Sequence, residues 1–319
     1  MIRLEIGEDE AGQRVDRLLR KILPGAQLGF LMKLFRQKKV RRNGVRAQQN
    51  ERLEVGDELL LKLPERLAQE LGREAAPRPT PSLPGSEVEL ELLLEDEDLL
   101  AVLKPAGVLV QPGLGDHAPD LTTRVRRRYA KRFEARSFQP SPAHRLDLGT
   151  SGLVLFGMSA AGLRELSAAF RERRVEKRYL ALVQGRAPAA AGSIDVELSE
   201  GQGRKGRAKT VPGAGRAART DWRVLSAGAR HSLLELQLHT GRLHQIRAHL
   251  KTLGLPIVGD LRYGAYREMK MRVPPRSLLL HAWRLRLAHP LTGAALELEA
   301  PLPGYFQRAL ELAGLPLPA

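Results

Sequence analysis

The stretch from Ser141 to Met158, SPAHRLDLGTSGLVLFGM, constrains this chain more than any other. His144, Arg145 and Asp147 come first, a small-residue turn runs from Gly149 to Gly152, and Leu153 to Phe156 follow as an unbroken apolar run. A short apolar run bounded by glycines predicts a buried strand. An acid on a loop that such a strand anchors is held stiffly, as a reactive carboxylate must be. The structural alternative is a loop Asp that caps a turn or pairs with Arg145.

Other segments fall around this one. In residues 12–63, Val15, Leu18, Leu19 and Ile22 share one face of a helix that Pro24 and Gly25 end. A second helix carries Leu28, Leu31, Leu34 and Phe35 on one side. Asn43-Gly44 between Val40 and Val45 predicts a hairpin, and Leu59, Leu61 and Leu63 alternate as a strand. Residues 64–87 hold Pro64, Pro77, Pro79, Pro81 and Pro84, which predicts an extended linker. The expected organisation is a small helix-helix-hairpin domain at 1–63, the linker at 64–87 and a large domain at 88–319. Within the large domain, strands are expected at Val88–Leu92, Leu99–Leu103, Glu176–Val183 and Leu234–Leu238. Helices are expected at Arg124–Arg136 and Gly162–Phe170, and a flexible basic loop at 204–219.

Charge bounds the partner. The formal net charge of +16 favours a polyanion, and nucleic acid is the first candidate because the basic residues cluster in discrete segments. Lys38, Lys39, Arg41, Arg42 and Arg46 on the small domain form an expected phosphate-binding surface. No run of about 18 apolar residues suggests a membrane span. The first residues, MIRLEIGEDE, lack the apolar core of a secretory signal, so a cytoplasmic protein is expected. There is no Cys, hence no disulfide, no thiolate zinc site and no thiol nucleophile. His239, His244 and His249 recur every five residues, which on a helix turns successive imidazoles about 140° apart. They do not read as a metal site, and neither metal nor cofactor is expected.

Three spaced motifs carry a family resemblance. HRLDLGTSG resembles the signature of the RluA family of pseudouridine synthases, and Asp147 takes the position of that family's catalytic acid. EDEDLLAVLKPAGVLVQPG resembles the first family motif, with Leu103 where Asn is usual, and suggests that Lys104 touches substrate phosphate. TGRLHQIRAHLKTLGLPIVGD resembles the third motif, in which Arg247 is the Arg that pairs with the catalytic Asp. EKRYLALVQG resembles the motif whose Tyr lines the active site, here Tyr179. KKVRRNGVRAQQNERLEVGD resembles an alpha-L RNA-binding domain.

The resemblance implies an α+β enzyme with a mixed, largely antiparallel sheet in its catalytic domain. It implies an RNA pseudouridine synthase, most like RluC-type enzymes of large-subunit ribosomal RNA, working as a monomer. Asp147, Tyr179 and Arg247 would form the catalytic set, with His144 and Arg145 contacting RNA. A transfer-RNA-directed relative is the nearest alternative. A hydrolase with a second carboxylate and a non-catalytic RNA-binding protein are the alternatives from other classes.

Overall fold

The computed structural model describes residues 1–72, 90–112, 120–134, 138–202, 208–266, 271 and 273–318. The first unit comprises β1 (Ile2–Glu5), α1 (Val15–Ile22), α2 (Leu28–Arg36), β2 (Val40–Arg42), β3 (Val45–Arg46), β4 (Glu58–Leu61) and α3 (Glu65–Gly72). Its four strands pair in the order β1-β4-β2-β3. Val15, Leu18 and Leu19 of α1 and Leu31 and Leu34 of α2 bury against Val40, Leu59 and Leu61. Both predicted helices are therefore present, although Leu28 faces solvent. Asn43 and Gly44 both take left-handed backbone, with φ of 50° and 78°, the geometry that matches the twist of a two-residue hairpin. Strand β1 was not anticipated. It adds an edge to β4 from Ile2↔Leu61 to Glu5↔Glu58.

The segment expected to be linker begins with α3, whose Leu67 and Leu71 pack onto the small core. The rest of that linker, together with Val88, lies outside the described residues.

The large unit runs β5 (Leu92–Glu95), β6 (Leu99–Lys104), α4 (Leu121–Arg128), α5 (Ala130–Phe133), β7 (Ser141–Pro142), β8 (Ser151–Gly157), α6 (Ala160–Arg171) and β9 (Glu176–Gln184). It continues with β10 (Ala191–Asp195), β11 (Leu198–Gln202), β12 (Ala208–Pro212), β13 (Arg219–Ala227) and β14 (His231–Leu238). It closes with α7 (Gln245–Thr252), β15 (Leu280–Ala288), β16 (Ala295–Glu299) and α8 (Gly304–Ala313). A ten-stranded sheet follows the order β10-β13-β14-β9-β15-β8-β6-β5, with β16 on β15 and β7 on β8. The β8–β15 pair is parallel and the others are antiparallel. The fold is thus α+β, mixed and largely antiparallel.

The central strands read as continuous apolar runs because both of their faces are covered. On one face, Leu100, Val102, Val154 and Phe156 meet Leu121 and Val125 of α4 and Ile246 and Leu250 of α7. On the other, Leu99, Ala101, Leu153 and Leu155 meet Leu166 of α6, while Leu180 and Leu182 meet Phe306 and Leu310 of α8.

Two expectations change. The helix expected at Arg124–Arg136 is two helices meeting at Tyr129, and residues 135–137 are outside the described set. The basic loop expected at 204–219 contains β12, paired with β11 from Leu198↔Pro212 to Gln202↔Ala208; residues 203–207 lie outside the described set.

Gly152 shows why the small-residue turn precedes the apolar run. It stands beside Ala282 at the parallel β8–β15 junction. A Cβ there would lie 2.2 Å from the Ala282 carbonyl oxygen, and the backbone φ is +115°. Gly152→Ala should therefore lower the unfolding free energy by at least about 2 kcal/mol, measured by chemical denaturation.

Candidate active site

A cleft of about 740 Å³ opens where the Asp147 loop, β9 and the N-terminal end of α7 meet. Its described lining includes Arg145, Arg171, Arg173, Lys177, Arg242 and Arg247, and Asp147 is the only acid among the described lining residues. A strongly positive concave surface around one carboxylate suits an anionic substrate.

The loop under Asp147 is fixed through its backbone. The Thr150 N–H donates to the Asp147 carbonyl at 3.1 Å, and the Gly107 N–H donates to that of Leu148 at 2.8 Å. The Leu278 N–H donates to the Gly149 carbonyl at 2.8 Å. A Cβ on Gly149 would sit 2.8 Å from Leu278 Cγ and 2.9 Å from the Arg276 carbonyl, so glycine is the residue that fits.

Lys104 completes this brace rather than reaching the substrate. It is buried, and its ammonium donates to the carbonyls of Pro105, Val108 and Leu148 at 2.9, 2.8 and 3.3 Å. Those three acceptors match the three N–H donors of a protonated amine. Burial pushes its pKa down to about 7, against the pull of the Asp147 charge. The expected contact with substrate phosphate is therefore not available to it.

Arg247 faces Asp147 from the first turn of α7. Its Nη1 donates to Asp147 Oδ2 at 3.1 Å. Its Nε and Nη2 donate to Asp260 Oδ2 and Oδ1 at 2.6 and 2.9 Å, and its guanidinium lies 4.8 Å from the Tyr263 ring centre. Burial opposes the charge on Arg247, but the bonds to Asp260 and the charge of Asp147 outweigh it and move the pKa up. Among the described residues Asp147 Oδ1 has no hydrogen-bond partner. One carboxylate oxygen is thus held and the other is open.

Tyr179 on β9 is buried beside this acid; burial first, and the Asp147 charge second, push its hydroxyl pKa up, so it keeps its proton. His244 takes a left-handed backbone, φ 52°, at the start of α7. Its Nε2 lies 3.9 Å from Asp147 Oδ2, and its Nδ1 lies 3.0 Å from the Tyr263 hydroxyl.

Gln245 and His249 secure the approach to Arg247. Gln245 Oε1 accepts from the Arg242 N–H and the Thr240 hydroxyl, and its Nε2 donates to the Arg219 carbonyl and Thr220 Oγ1. His249 Nδ1 sits 2.9 Å from the same Thr220 hydroxyl. His239 instead meets Asp221 at 2.6 Å. Among the described residues no group of three or more His, Cys, Asp or Glu side chains is placed to hold a metal.

The remaining expected RNA contacts divide by burial. Arg145 is exposed in the cleft. His144 lines it too, but its Nε2 accepts the Leu155 N–H at 3.1 Å and its ring stacks on Phe170. Burial, then the charge of Lys177, pushes its pKa down to about 3, so it stays a neutral ring. Arg42 turns inward to pair with buried Asp57 at 2.7 Å. It leaves the small-domain surface to Lys38, Lys39, Arg41 and Arg46, which lie exposed or half-exposed around the hairpin.

Residues 98–252 match the sequence model of the family described as RNA pseudouridylate synthase. The ribosomal large subunit pseudouridine synthase C of Vibrio cholerae is 33% identical over 310 residues, covering 96% of this chain and 95% of the relative. The chain belongs to the RluA family of RNA pseudouridine synthases. An RNA pseudouridine synthase of Synechocystis is 32% identical across 96% of this chain and 90% of its own length. The human protein RNA pseudouridylate synthase domain containing 4 superposes with a TM-score of 0.58 at 26% identity, over 72% of this chain and 94% of that one. The chain is accordingly an isomerase of RNA, and among its described residues no helix is long and apolar enough to cross a membrane.

Asp260 is the site residue that sequence reasoning left without a role. It lies in the third synthase motif, thirteen positions after Arg247, and a buried guanidinium in so apolar a setting calls for such a two-oxygen partner. Asp260→Asn in this synthase should cost about 3 kcal/mol of stability, because it leaves a buried Arg half-paired. Turnover should fall at least tenfold even where the protein is folded, read by denaturation and by rate on one RNA.

Proposed function

We propose that this synthase isomerises uridine in large-subunit ribosomal RNA, with Asp147 as the reacting carboxylate. The open Asp147 Oδ1 beside a carboxylate oxygen held by Arg247 is the observation that carries the reading. The end-to-end match to a ribosomal large subunit enzyme supports the choice of RNA.

In this reaction the bond between uracil N1 and ribose C1′ breaks and a bond between C5 and C1′ forms. N1 gains a proton and C5 loses one, so the sum is redox-neutral and requires no cofactor. Asp147 supplies the nucleophile or base at the nucleotide. Arg247 orients it through one N–H while Asp260 fixes the guanidinium. Tyr179, protonated and buried against the acid, offers a ring face to the base and a hydroxyl for proton handling. The target nucleotide must leave its stack to reach so recessed an acid. Arg145, exposed at the mouth, takes up the space or the strand left behind.

The small unit resembles an alpha-L domain, and Lys38, Lys39, Arg41 and Arg46 would grip the RNA backbone there. The enzyme would act as a cytoplasmic monomer, where ribosomal RNA is met.

Asp147→Asn should abolish pseudouridine formation while RNA binding stays within a few-fold, since the amide keeps the shape and loses the nucleophile. The check is to map pseudouridine in ribosomal and transfer RNA from cells lacking the protein, with rescue by wild type or Asp147→Asn. Sites that return with the Asn variant would sink the assignment. Sites confined to transfer RNA would move the substrate.

A further inference from the structure

Lys177 is buried, with 9% of its surface exposed, yet it lines the cleft two residues before Tyr179 on β9. Its Nζ has one acceptor, the Val175 carbonyl at 3.3 Å, and among the described residues no carboxylate pairs with it. A buried cation is ordinarily matched by an acid. Around this one the cleft supplies Arg145 and Arg173 instead, and burial, with the Arg173 charge behind it, pushes its pKa down. Its neighbour His144, kept neutral by burial and by the charge of Lys177 itself, supplies no negative charge either. The missing partner is therefore an anion from outside the protein. Residues two apart on a strand project to the same side, about 7 Å apart. The anion at Lys177 thus lies roughly one nucleotide from the base at Tyr179.

We propose that Lys177 forms the floor of a phosphate subsite that binds the backbone phosphate bordering the target uridine, with Arg145 and Arg173 flanking it. The subsite rests on the reading of this cleft as the RNA site. Lysine suits the role, since it meets phosphate as a compact point charge. Its recessed position limits it to a strand already drawn into the cleft, so it would sense the flipped nucleotide rather than the duplex around it.

The test uses the full-length enzyme and a short RNA spanning a uridine it modifies, made with all phosphates or with one uncharged methylphosphonate on either side of that uridine. Lys177→Met should weaken binding of the all-phosphate RNA about tenfold or more and lower the log-log salt slope by about 0.7. Lys177→Arg should retain most of the affinity. One of the two methylphosphonates should cost wild type a similar factor and cost Lys177→Met nothing further. Thermal unfolding of Lys177→Met should match or exceed wild type, because a buried unpaired cation has gone. Additive losses at both positions, or unchanged binding by Lys177→Met, would overturn the subsite while wild-type turnover leaves the functional reading intact. Absence of wild-type turnover on uridine-containing ribosomal and transfer RNA would overturn both.

Discussion

One guanidinium between two carboxylates sets the terms for the rest of the site. Arg247 is buried, and Asp260 takes two of its N–H groups in a planar fork. That leaves one edge for Asp147. A lysine could supply the charge but not the direction, because an ammonium has no fixed plane. The third synthase motif thus contains both the cation that meets the acid and the anion that aims the cation.

The opposite wall is held through backbone carbonyls and N–H groups, with one buried ammonium among the donors. Lys104 and the Gly107 N–H converge on the Leu148 carbonyl, and Leu278 holds Gly149. The small residues after Asp147 are there because β15 and the Leu278 segment come too close for side chains. The loop that carries the acid is therefore fixed through its backbone, and Asp147 lines the cleft.

Much of this was legible in residues 141–158 and 239–260. An apolar run between glycines signals a central strand, and β8 is one, buried along its whole length. Asp147, Arg247 and Tyr179, which the motifs single out, lie side by side in the fold. What sequence conceals is burial. Lys104, Arg42 and His144 read as cations available to RNA, yet each is engaged by carbonyls, by Asp57 or by a backbone N–H. Conversely, Lys177 reads only as part of the strand motif around Tyr179, and the fold shows it buried with no paired carboxylate among the described residues. Strand β1 escaped notice because its alternation is short and edge-bound, with Ile2 and Leu4 only half-buried. Helix α3 was hidden by the prolines that surround it, and β12 by the basic residues that precede it.

The parallel pairing of β8 with β15 has a consequence in time. It joins Ser151 to His281, 130 positions apart, and Arg247 reaches Asp147 across 100. Contacts of such separation form late, because long loops must close first. During synthesis the acid emerges well before its cation, and the strand that supports its loop emerges later still. A nascent chain that ends between about residues 260 and 280 carries every recognisable motif but lacks the β15 residues that pair with Ser151 and Gly152. The site of this synthase is thus completed only once β15 has been released and seated.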